Sequence, residues 1–320
     1  MYIYLLKRFC IAIITLIAIS LVIYLILSLA PGDPLGEFAT NPAITPEIRE
    51  NMRKALGLDQ PIYLRYFQWL SALLQGNFGY SFVSLTPVSS LILQRLPTTI
   101  WVVGTAYIIA IIIAFPLGLI AAVRRSSWLD ILINIFAFLC LSLPTFFTGL
   151  ILIIIFSIQL KWFPFIYQST LKVTDLNSFI NQIRQSIMPI TLLALAQAAI
   201  LIRFIRTVIL EELYQEYVRT AYAKGLSEFK VVVKHILRNA LIPLVTLIAL
   251  DIPGIFTGAI VTEQIFRVPG IGALLIDSIN RSDTPVVMGI TFIYAVLIVI
   301  CNFIADLFYH LLDPRIKYNS

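Results

Sequence analysis

The side chains of this 320-residue chain that could bind a cation or a proton are few, and the most conspicuous is an acid in apolar surroundings. Asp251 lies within the apolar stretch 239–262, where a carboxylate costs about 3 kcal/mol on insertion scales. We expect it to face the protein interior. It could contact the ammonium group of a transported molecule, bind a proton in an ion-coupled carrier, or act as a hydrogen-bonded structural acid beside Pro253. Gln197, in another apolar stretch, is a weaker candidate for contact with such a molecule along a translocation path.

No arrangement of residues in the sequence indicates catalysis or a bound cofactor. The two histidines, His235 and His310, are far apart, which argues against a histidine metal site, and neither lies at the membrane depth of Ser142 or Asp251. The cysteines all fall in apolar stretches, where an isolated thiol behaves as a small apolar residue: Cys10, Cys140 and Cys301. A Gly-x-x-x-x-Gly-Lys-Ser/Thr phosphate loop is absent from the sequence. We therefore expect a non-catalytic chain without a cofactor, and any nucleotide that powers it must bind another chain.

The composition is that of an integral membrane protein. Hydrophobic residues make up 59% of the chain, charged residues only 12%, and the mean hydropathy is +0.93. The charges are segregated, which leaves stretches long enough to cross an apolar layer of about 30 Å as helices. Six such stretches are predicted: 9–29, 98–123, 129–158, 187–208, 239–262 and 286–309. Runs that are apolar on all sides, such as 108–114, favour helices over a closed barrel. The sequence therefore predicts an all-α integral membrane protein with six transmembrane helices.

The six stretches divide the chain into three parts. Residues 1–30 are predicted to form an N-terminal transmembrane anchor, which we expect to stay uncleaved because its apolar stretch exceeds a usual signal core. Residues 31–97 are predicted to form an external loop with two amphipathic helices, one starting at Thr45-Pro46-Glu47 and one at 62–74. This loop either caps the bilayer surface or docks an external partner. Residues 98–320 form the core, with five transmembrane helices.

The positions of Lys and Arg predict the orientation, because cytoplasmic loops retain positive charge. The pieces 1–8, Arg124–Arg125, 209–238 and the C-terminal tail, together with Arg203 and Arg206, hold 13 of the 23 basic residues. Placing them in the cytoplasm puts both termini inside. The net charge of +6 is then a topology signal, and no nucleic-acid-binding motif accompanies it.

The segment 209–238 is a polar, helix-forming block between two apolar stretches. Its first apolar residues recur at helical spacing and predict one amphipathic helix: Leu213, Tyr214, Tyr217, Val218 and Ala221. Gly225 interrupts that helix, and Ser227 is the predicted N-cap of a second one, with Phe229, Val232, Val233, Ile236 and Leu237 at the same spacing. Ala221 and Gly225 lie four residues apart, so this corner could present small residues to another protein. The spacing alone is also typical of an interfacial amphipathic hairpin.

Two stretches in this region, Tyr217–Ser227 and His235–Pro243, resemble the coupling loop of permease subunits in the dipeptide and oligopeptide (peptide/nickel) ABC importers. The resemblance covers nearly the whole chain, and the other matching stretches are Ala30–Pro34, Arg65–Leu70, Gln75–Ser81, Arg95–Thr98, Ser142–Phe146, Glu263–Gly272 and Asp306–Ile316. The chain departs from the broader ABC importer pattern at Arg219-Thr-Ala221, where that pattern begins Glu-Ala-Ala, and in the position of Pro243. Both departures are similar to the peptide subfamily's own version.

The resemblance implies a type I ABC importer transmembrane domain that acts as a passive translocation subunit in a bacterial plasma (inner) membrane. Its implied partners are a second homologous permease, two cytoplasmic ABC ATPase subunits that hold ATP and Mg²⁺, and an external substrate-binding protein. The implied ATPase-docking residues are Thr220, Ala221, Lys224, Gly225 and Leu226. The implied cargo is a dipeptide or oligopeptide.

Three alternatives remain open at this point. A self-sufficient secondary transporter would need ionisable groups inside the membrane, for which Asp251 alone is thin support. The same ABC role could serve nickel complexes, glutathione or another small solute. A membrane scaffold without transport activity would tolerate a charged substitution at Gly225.

Overall fold

The structure, a computed structural model, describes residues 2–29, 45–55, 59–168 and 173–312. Regular secondary structure in these ranges is helical, and the Tyr80–Pro87 pair forms an isolated β-bridge. The matching stretch 30–34, the break expected at Gly57, the tail 313–320 and the side chain of His310 lie outside what is described. The chain divides into two compact units. The first combines Met1–Pro97 with Gly270–Phe303, and the second combines Thr98–Pro269 with Ile304–Ser320.

Thirteen α-helices are described within these ranges, several of them extended by π-helical turns. The first four are α1 (Tyr2–Leu29), α2 (Pro46–Ala55), α3 (Ile62–Leu74) and α4 (Val88–Thr99). A π-helical turn, Ile100–Gly104, leads into α5 (Thr105–Val123), followed by α6 (Trp128–Ser142) and α7 (Thr145–Leu152), which continues as a π-helix over Ile153–Gln159. Next come α8 (Leu176–Leu213), α9 (Glu216–Ala223) and α10 (Glu228–Val231), which a π-helical turn over Val232–Ile236 joins to α11 (Leu237–Phe266). The last two are α12 (Ile271–Asn280) and α13 (Thr284–Leu312).

Five of the six predicted spans correspond to a helix that is long and apolar enough to cross a membrane. These are Leu6–Leu29, Val88–Val123, Leu176–Leu213, Glu228–Pro253 and Thr284–Ile304. By length and composition the described residues hold five such helices, or up to seven if each of two bent helix pairs counts as one span. The all-helical membrane architecture predicted from the sequence is confirmed.

The predicted span 129–158 is not one straight helix. The chain bends by 99° between Trp128–Ser142 and Thr145–Gln159. The break falls at Leu143, whose backbone is extended with φ −86° and ψ 127°, directly before Pro144. A proline disfavours the helical conformation of the residue before it and has no backbone N–H to donate, so a helix ends here. The proline therefore marks the position of the break in the sequence, whereas the size of the bend does not follow from it.

In the first unit, an aromatic cluster joins the N-terminal helix α1 to α3. The Ser20 hydroxyl is 3.0 Å from the Tyr66 hydroxyl, and the Tyr24 ring packs edge-on to the Tyr66 ring. Trp69 stacks between Tyr24 and Phe292, with ring centroids 5.6 and 6.0 Å away. Aromatic residues such as those of α3 suit a membrane interface, yet Tyr66 is buried in this cluster. Its hydroxyl finds a partner there, which is the usual condition for burying a tyrosine.

A carboxylate holds the turn that follows α3. Asp283, just before α13, accepts hydrogen bonds from the Ser81 hydroxyl and from the Phe82 backbone N–H. The Ser81 oxygen in turn accepts from the Ser84 backbone N–H at 2.9 Å. Asp283 and Ser81 are both buried, so these bonds satisfy groups that water cannot reach. This network gives a physical reason for the Gly79-Tyr-Ser81 part of the matching stretch 75–81.

In the second unit, α5 packs along α8 through a stripe of small residues. Positions spaced by four on the helix line carry only alanine or glycine, and all are buried: Ala106, Ala110, Ala114, Gly118 and Ala122. Small residues at this spacing let two helix backbones approach closely, which is how membrane helices associate without a hydrophobic driving force. A Cβ added at Gly118 would lie 2.7 Å from Ile205 Cγ2 and 3.0 Å from the Ile202 carbonyl oxygen.

Gly118→Ala is therefore expected to destabilise the protein by about 1–3 kcal/mol, because neither the branched side chain nor the backbone of α8 can yield without strain. Gly104→Ala, at the end of the π-helical turn that leads into α5, is the matched control, since a Cβ there meets nothing within 4 Å. It should be neutral or slightly stabilising, because alanine favours a helix over glycine. Thermal unfolding of both purified variants in one detergent measures the difference. Equal melting temperatures would refute the close α5–α8 contact.

Candidate functional site

The segment between α8 and α11 forms a corner, here residues 216–227, whose turn depends on one glycine. Helix α9 ends at Ala223, and Gly225 has φ +77°, the left-handed region that favours glycine. The Gly225 N–H donates to the Tyr222 carbonyl at 2.9 Å, and the Leu226 N–H donates to the Ala221 carbonyl at 3.4 Å. This pair of bonds is the Schellman arrangement that closes a helix C-terminus. The predicted interruption at Gly225 is confirmed.

The inner face of the corner packs into the core of the second unit. Val218 and Ala221 are buried in one apolar cluster that also holds residues of α5 and α8, and Leu226 packs against it. Val231, Val232 and Ile236 join the cluster from the chain that follows. A hydrophobic residue directly after the glycine, here Leu226, is a frequent companion of a Schellman cap. The corner is therefore fixed to the transmembrane helices by shared burial.

The outer face of the corner is open. Thr220, Lys224 and Gly225 are exposed, and a Cβ added at Gly225 meets nothing within 4 Å. Ala221, by contrast, is only 4% exposed. The prediction that Ala221 and Gly225 present one small face outward is therefore wrong for Ala221, because its methyl group fills space under the corner. Four of the five predicted docking residues lie on or beside the outer surface: Thr220, Lys224, Gly225 and, half-buried, Leu226.

The predicted single helix from Leu213 to Ala221 is also wrong. Leu213 is the last residue of α8, and Gln215 has an extended backbone with ψ 147°, which no α-helix accommodates. The break turns Val218 and Ala221 toward the core. Ser227 precedes α10 as predicted, but its side chain makes no capping hydrogen bond. Phe229, expected on the apolar stripe of the second helix, is 77% exposed.

The joint between α8 and the corner is held by polar contacts. The Tyr217 hydroxyl donates to a Glu212 carboxylate oxygen, and the Arg125 guanidinium lies 5.6 Å from the centre of the Tyr214 ring. Partial burial, together with the bond to Glu212, raises the pKa of Tyr217 above its ordinary value. The phenol therefore remains a protonated donor at neutral pH, and this bond across the break persists.

An ion pair between the buried Asp130 and the partly buried Arg206 fixes the start of α6 to α8, and the sequence analysis did not find it. Arg206 Nε and Nη2 donate to the two oxygens of Asp130 at 2.8 and 2.9 Å. Asp130 also accepts from the Ser126 backbone N–H at 2.9 Å and from the Asn134 amide. Arg206 had been counted only as a topology charge. Because the partners lie 76 residues apart in the chain, only the first-turn position of Asp130 after the cap Ser127 was visible in the sequence.

The two predicted path residues are in contact. The Gln197 side-chain amide on α8 donates to Asp251 Oδ2 on α11. Both side chains are half-buried, and the other Asp251 oxygen has no recorded partner in the described part of the chain. A carboxylate can accept about four hydrogen bonds, so this one retains capacity for a further donor. One oxygen of Asp251 therefore makes the structural hydrogen bond foreseen for this acid, and the other oxygen can accept a hydrogen bond from a further donor.

A second carboxylate inside this unit was missed because the span was ended too early. Helix α11 continues to Phe266, and Glu263 within it is 1% exposed. Its Oε1 accepts a hydrogen bond from the Thr99 hydroxyl at 2.9 Å, and Thr99 is also buried. Burying such a group requires partners of this kind. Within the ranges described, no three His, Cys, Asp or Glu side chains are grouped so that they could hold a metal ion.

Comparison with protein families finds two matches along the chain. Residues 114–318 match the family described as "Binding-protein-dependent transport system inner membrane component", and residues 1–103 match its N-terminal companion. The chain belongs to this family. Its members are permease subunits of ABC transporters, so the chain is a non-catalytic, membrane-spanning component of a binding-protein-dependent transport system.

Individual relatives agree over almost the full length. The chain is 42% identical over 316 residues to the oligopeptide transport system permease protein AppB of Bacillus subtilis (strain 168), covering 98% of this chain and 99% of AppB. It is 36% identical over 315 residues to the glutathione transport system permease protein GsiC of Escherichia coli (strain K12), covering 98% and 99%. The resemblance to peptide ABC importer permeases is thereby confirmed at the level of the family.

A solved structure supports the fold. The MetNI methionine ABC transporter, in an inward-facing conformation, superposes with a TM-score of 0.53 at 14% identity, covering 70% of this chain and 97% of the MetNI chain. At that identity the likeness concerns the fold alone. It confirms the type I ABC importer architecture of this permease.

Proposed function

We propose that this permease forms half of the translocation path of an ATP-driven importer of dipeptides or oligopeptides in a bacterial plasma (inner) membrane. A second homologous permease forms the other half, two ABC ATPase subunits hold ATP and Mg²⁺, and an external binding protein delivers the cargo. Both termini lie in the cytoplasm. The similarity to an oligopeptide permease supports the cargo class, and the family description supports the binding protein.

One observation carries the coupling role. The corner presents the exposed Thr220, Lys224 and Gly225 outward while Val218 and Ala221 sit in the same core as α5 and α8. A partner bound to the outer face therefore applies force to side chains that pack against transmembrane helices. Close-packed cores transmit displacement instead of absorbing it. An interfacial amphipathic hairpin would need a continuous apolar outer face, whereas the exposed Tyr222 and Phe229 are accompanied here by the exposed Thr220, Lys224 and Gly225.

The mechanism follows from that connection. ATP binding closes the two ATPase subunits, and each docked corner moves with the subunit that holds it. The shared core moves α5 and α8 together, and the Asp130–Arg206 ion pair carries α6 along. Cargo released from the binding protein then meets a cavity that opens to one side of the membrane at a time. Energy enters because ATP favours one of two arrangements of the helices.

Within the path, Asp251 is proposed to meet the ammonium end of a peptide. Its second carboxylate oxygen is open to a donor, and Gln197 orients the group from α8. A peptide ammonium has three donors, so one oxygen of a buried acid is a suitable partner. The cost of placing this acid among apolar helices is thereby offset whenever cargo is present.

The function is tested by uptake. The complex, purified with its ATPases and reconstituted in vesicles, should import a labelled tripeptide only when the binding protein and ATP are both present. Nickel complexes and glutathione, added as unlabelled competitors, should displace the tripeptide less well than a second tripeptide does. Uptake by the permease alone under a proton or sodium gradient would favour the secondary-transporter alternative. Better competition by glutathione or nickel would retain the ABC role and change the cargo.

Asp251→Asn is expected to lower the uptake of tripeptides with a free N-terminus about tenfold, by weakening a charge-assisted hydrogen bond of about 1.5–3 kcal/mol. The asparagine keeps the size of the side chain. Uptake of the same tripeptide with an acetylated N-terminus, slow in wild type, should not change. Gln197→Leu is the matched variant, which removes the structural bond and leaves the acid. Equal losses for free and acetylated peptides would show that Asp251 serves structure only.

A further inference from the structure

The guanidinium of Arg203 is a cation without a recorded partner in the described part of the chain. It lies exposed on α8, and its neighbour Arg206 is held by both oxygens of Asp130. Arg203 is ten residues, or about 15 Å, before the end of α8 at Leu213. An arginine inside a transmembrane helix that has no anion nearby is costly. Its position near one end of the helix, with the exposed Trp128 at the start of the adjoining α6, suits the headgroup level of a bilayer.

Arg203 lines a cleft of about 390 Å³ between α6 and α8, together with Asn134, Ile135, Phe138 and Leu139. The polar member of α6, Asn134, lies nearer the Trp128 end of that helix. Phe138 and Leu139 follow about one turn deeper, and both are exposed. The cleft is therefore cationic at its outer end and apolar at its inner end.

We propose that this cleft binds an anionic phospholipid, with the phosphate against Arg203 and an acyl chain along Phe138 and Leu139. The cleft has a cation at one end and apolar side chains at the other, which matches the charged headgroup and apolar acyl chains of a phospholipid. Basic clefts between transmembrane helices are established sites for anionic headgroups. A second protein chain fits the face less well. Close helix contacts in membranes use small residues, whereas the exposed face of α6 carries Ile131, Leu132, Ile135, Phe138 and Leu139.

The test compares two lipids that differ only in headgroup charge. The full transporter complex is purified in mild detergent, supplied with phosphatidylglycerol or phosphatidylcholine of identical acyl chains, and examined by native mass spectrometry for retained lipid. Wild type should retain phosphatidylglycerol preferentially. Arg203→Gln should reduce that retention about fivefold, the effect of one basic residue near a membrane surface, while Arg203→Lys should keep most of it. Ile135→Asp, which places an anion in the cleft, should reduce it similarly.

Arg124→Gln is the matched control, because it removes an exposed cation from the turn at the end of α5 without touching the cleft. It should retain lipid as wild type does. An unchanged retention in Arg203→Gln, or an equal loss in Arg124→Gln, would overturn the site. Retention by the isolated permease that vanishes when the second permease is present would also overturn it, because a protein would then cover the cleft. Melting temperatures of the variants establish that each is folded.

Discussion

Replacing Gly225 with aspartate is expected to lower the amount of ATPase that co-purifies with this permease by about tenfold or more, which is at least about 1.4 kcal/mol of binding free energy. Gly225 lies at the exposed tip of the corner with open space around it. A side chain with a negative charge there would block close approach of a partner backbone. Asp tolerates the left-handed conformation better than most residues, so the corner itself should persist. The measurement is the ATPase-to-permease ratio after purification in mild detergent.

The matched control for this variant is Gly76→Asp. Gly76 has φ +78° and Gly225 has φ +77°, and neither would place a Cβ within 4 Å of another atom. Both substitutions therefore impose the same backbone strain and add the same charge, but Gly76 lies after α3, in the segment 31–97 that is predicted to be external. Wild-type ATPase recovery with Gly76→Asp and loss with Gly225→Asp would locate the docking surface. Equal recovery from all three proteins would contradict docking at the corner and favour the scaffold alternative.

Removing the carboxylate of Asp130 is expected to destabilise the permease by about 3–5 kcal/mol, the usual effect of leaving a buried charge without its partner. The side chain of Asp130 is 6% exposed and that of Arg206 is 26% exposed. Asp130→Ala would also leave the Ser126 N–H without its acceptor, whereas the Asn134 amide keeps its hydrogen bond to the backbone carbonyl of residue 130. Arg206→Met added to Asp130→Ala should recover part of the loss, because it removes the orphaned cation. Thermal unfolding of the purified variants measures the effect.

Glu216→Ala provides the matched comparison for the ion pair. Arg219 Nη1 lies 2.9 Å from a Glu216 oxygen, a distance similar to those in the buried pair, but the two side chains are 68% and 85% exposed. Exposed helix pairs of this kind contribute only about 0.3–0.5 kcal/mol. A loss of stability in Asp130→Ala no larger than that in Glu216→Ala would show that the Asp130–Arg206 pair is accessible to water, and that it cannot carry motion from α8 to α6.

Much of the fold was predictable because membrane helices can be recognised in a sequence by their length and apolar composition. The sequence also located the break before Pro144 and the turn at Gly225, since proline and glycine act on the backbone locally. The spacing of four between the small residues from Ala106 to Ala122 was also visible in the sequence, but no helix contact was predicted from it. The partner helix of these residues could not be identified from the sequence, because α5 and α8 meet through residues about ninety positions apart, such as Gly118 and Ile205.

The site was harder to predict than the fold, and Ala221 shows the reason. Helical spacing groups residues on one face, but it does not say whether that face meets the chain's own core or a partner. Ala221 and Val218 turn inward because the chain breaks at Gln215, and nothing in the side chains of Tyr214 or Gln215 demands that break. The contact between Gln197 and Asp251 likewise joins residues 54 positions apart. Both residues could be predicted as path residues because they are polar within apolar stretches, but their contact depends on how α8 and α11 pack.

The most direct test of the central claim is photo-crosslinking from the tip of the corner in native membranes. A photoreactive amino acid is placed at Lys224, which is exposed beside Gly225, and at Tyr63, an exposed residue of α3 in the segment predicted to be external. After illumination, the crosslinked proteins are identified by mass spectrometry. We predict an adduct between position 224 and an ABC ATPase subunit, and none with that subunit from position 63. Efficient crosslinking of position 224 to lipid alone, with no ATPase adduct, would contradict a coupling role for this corner.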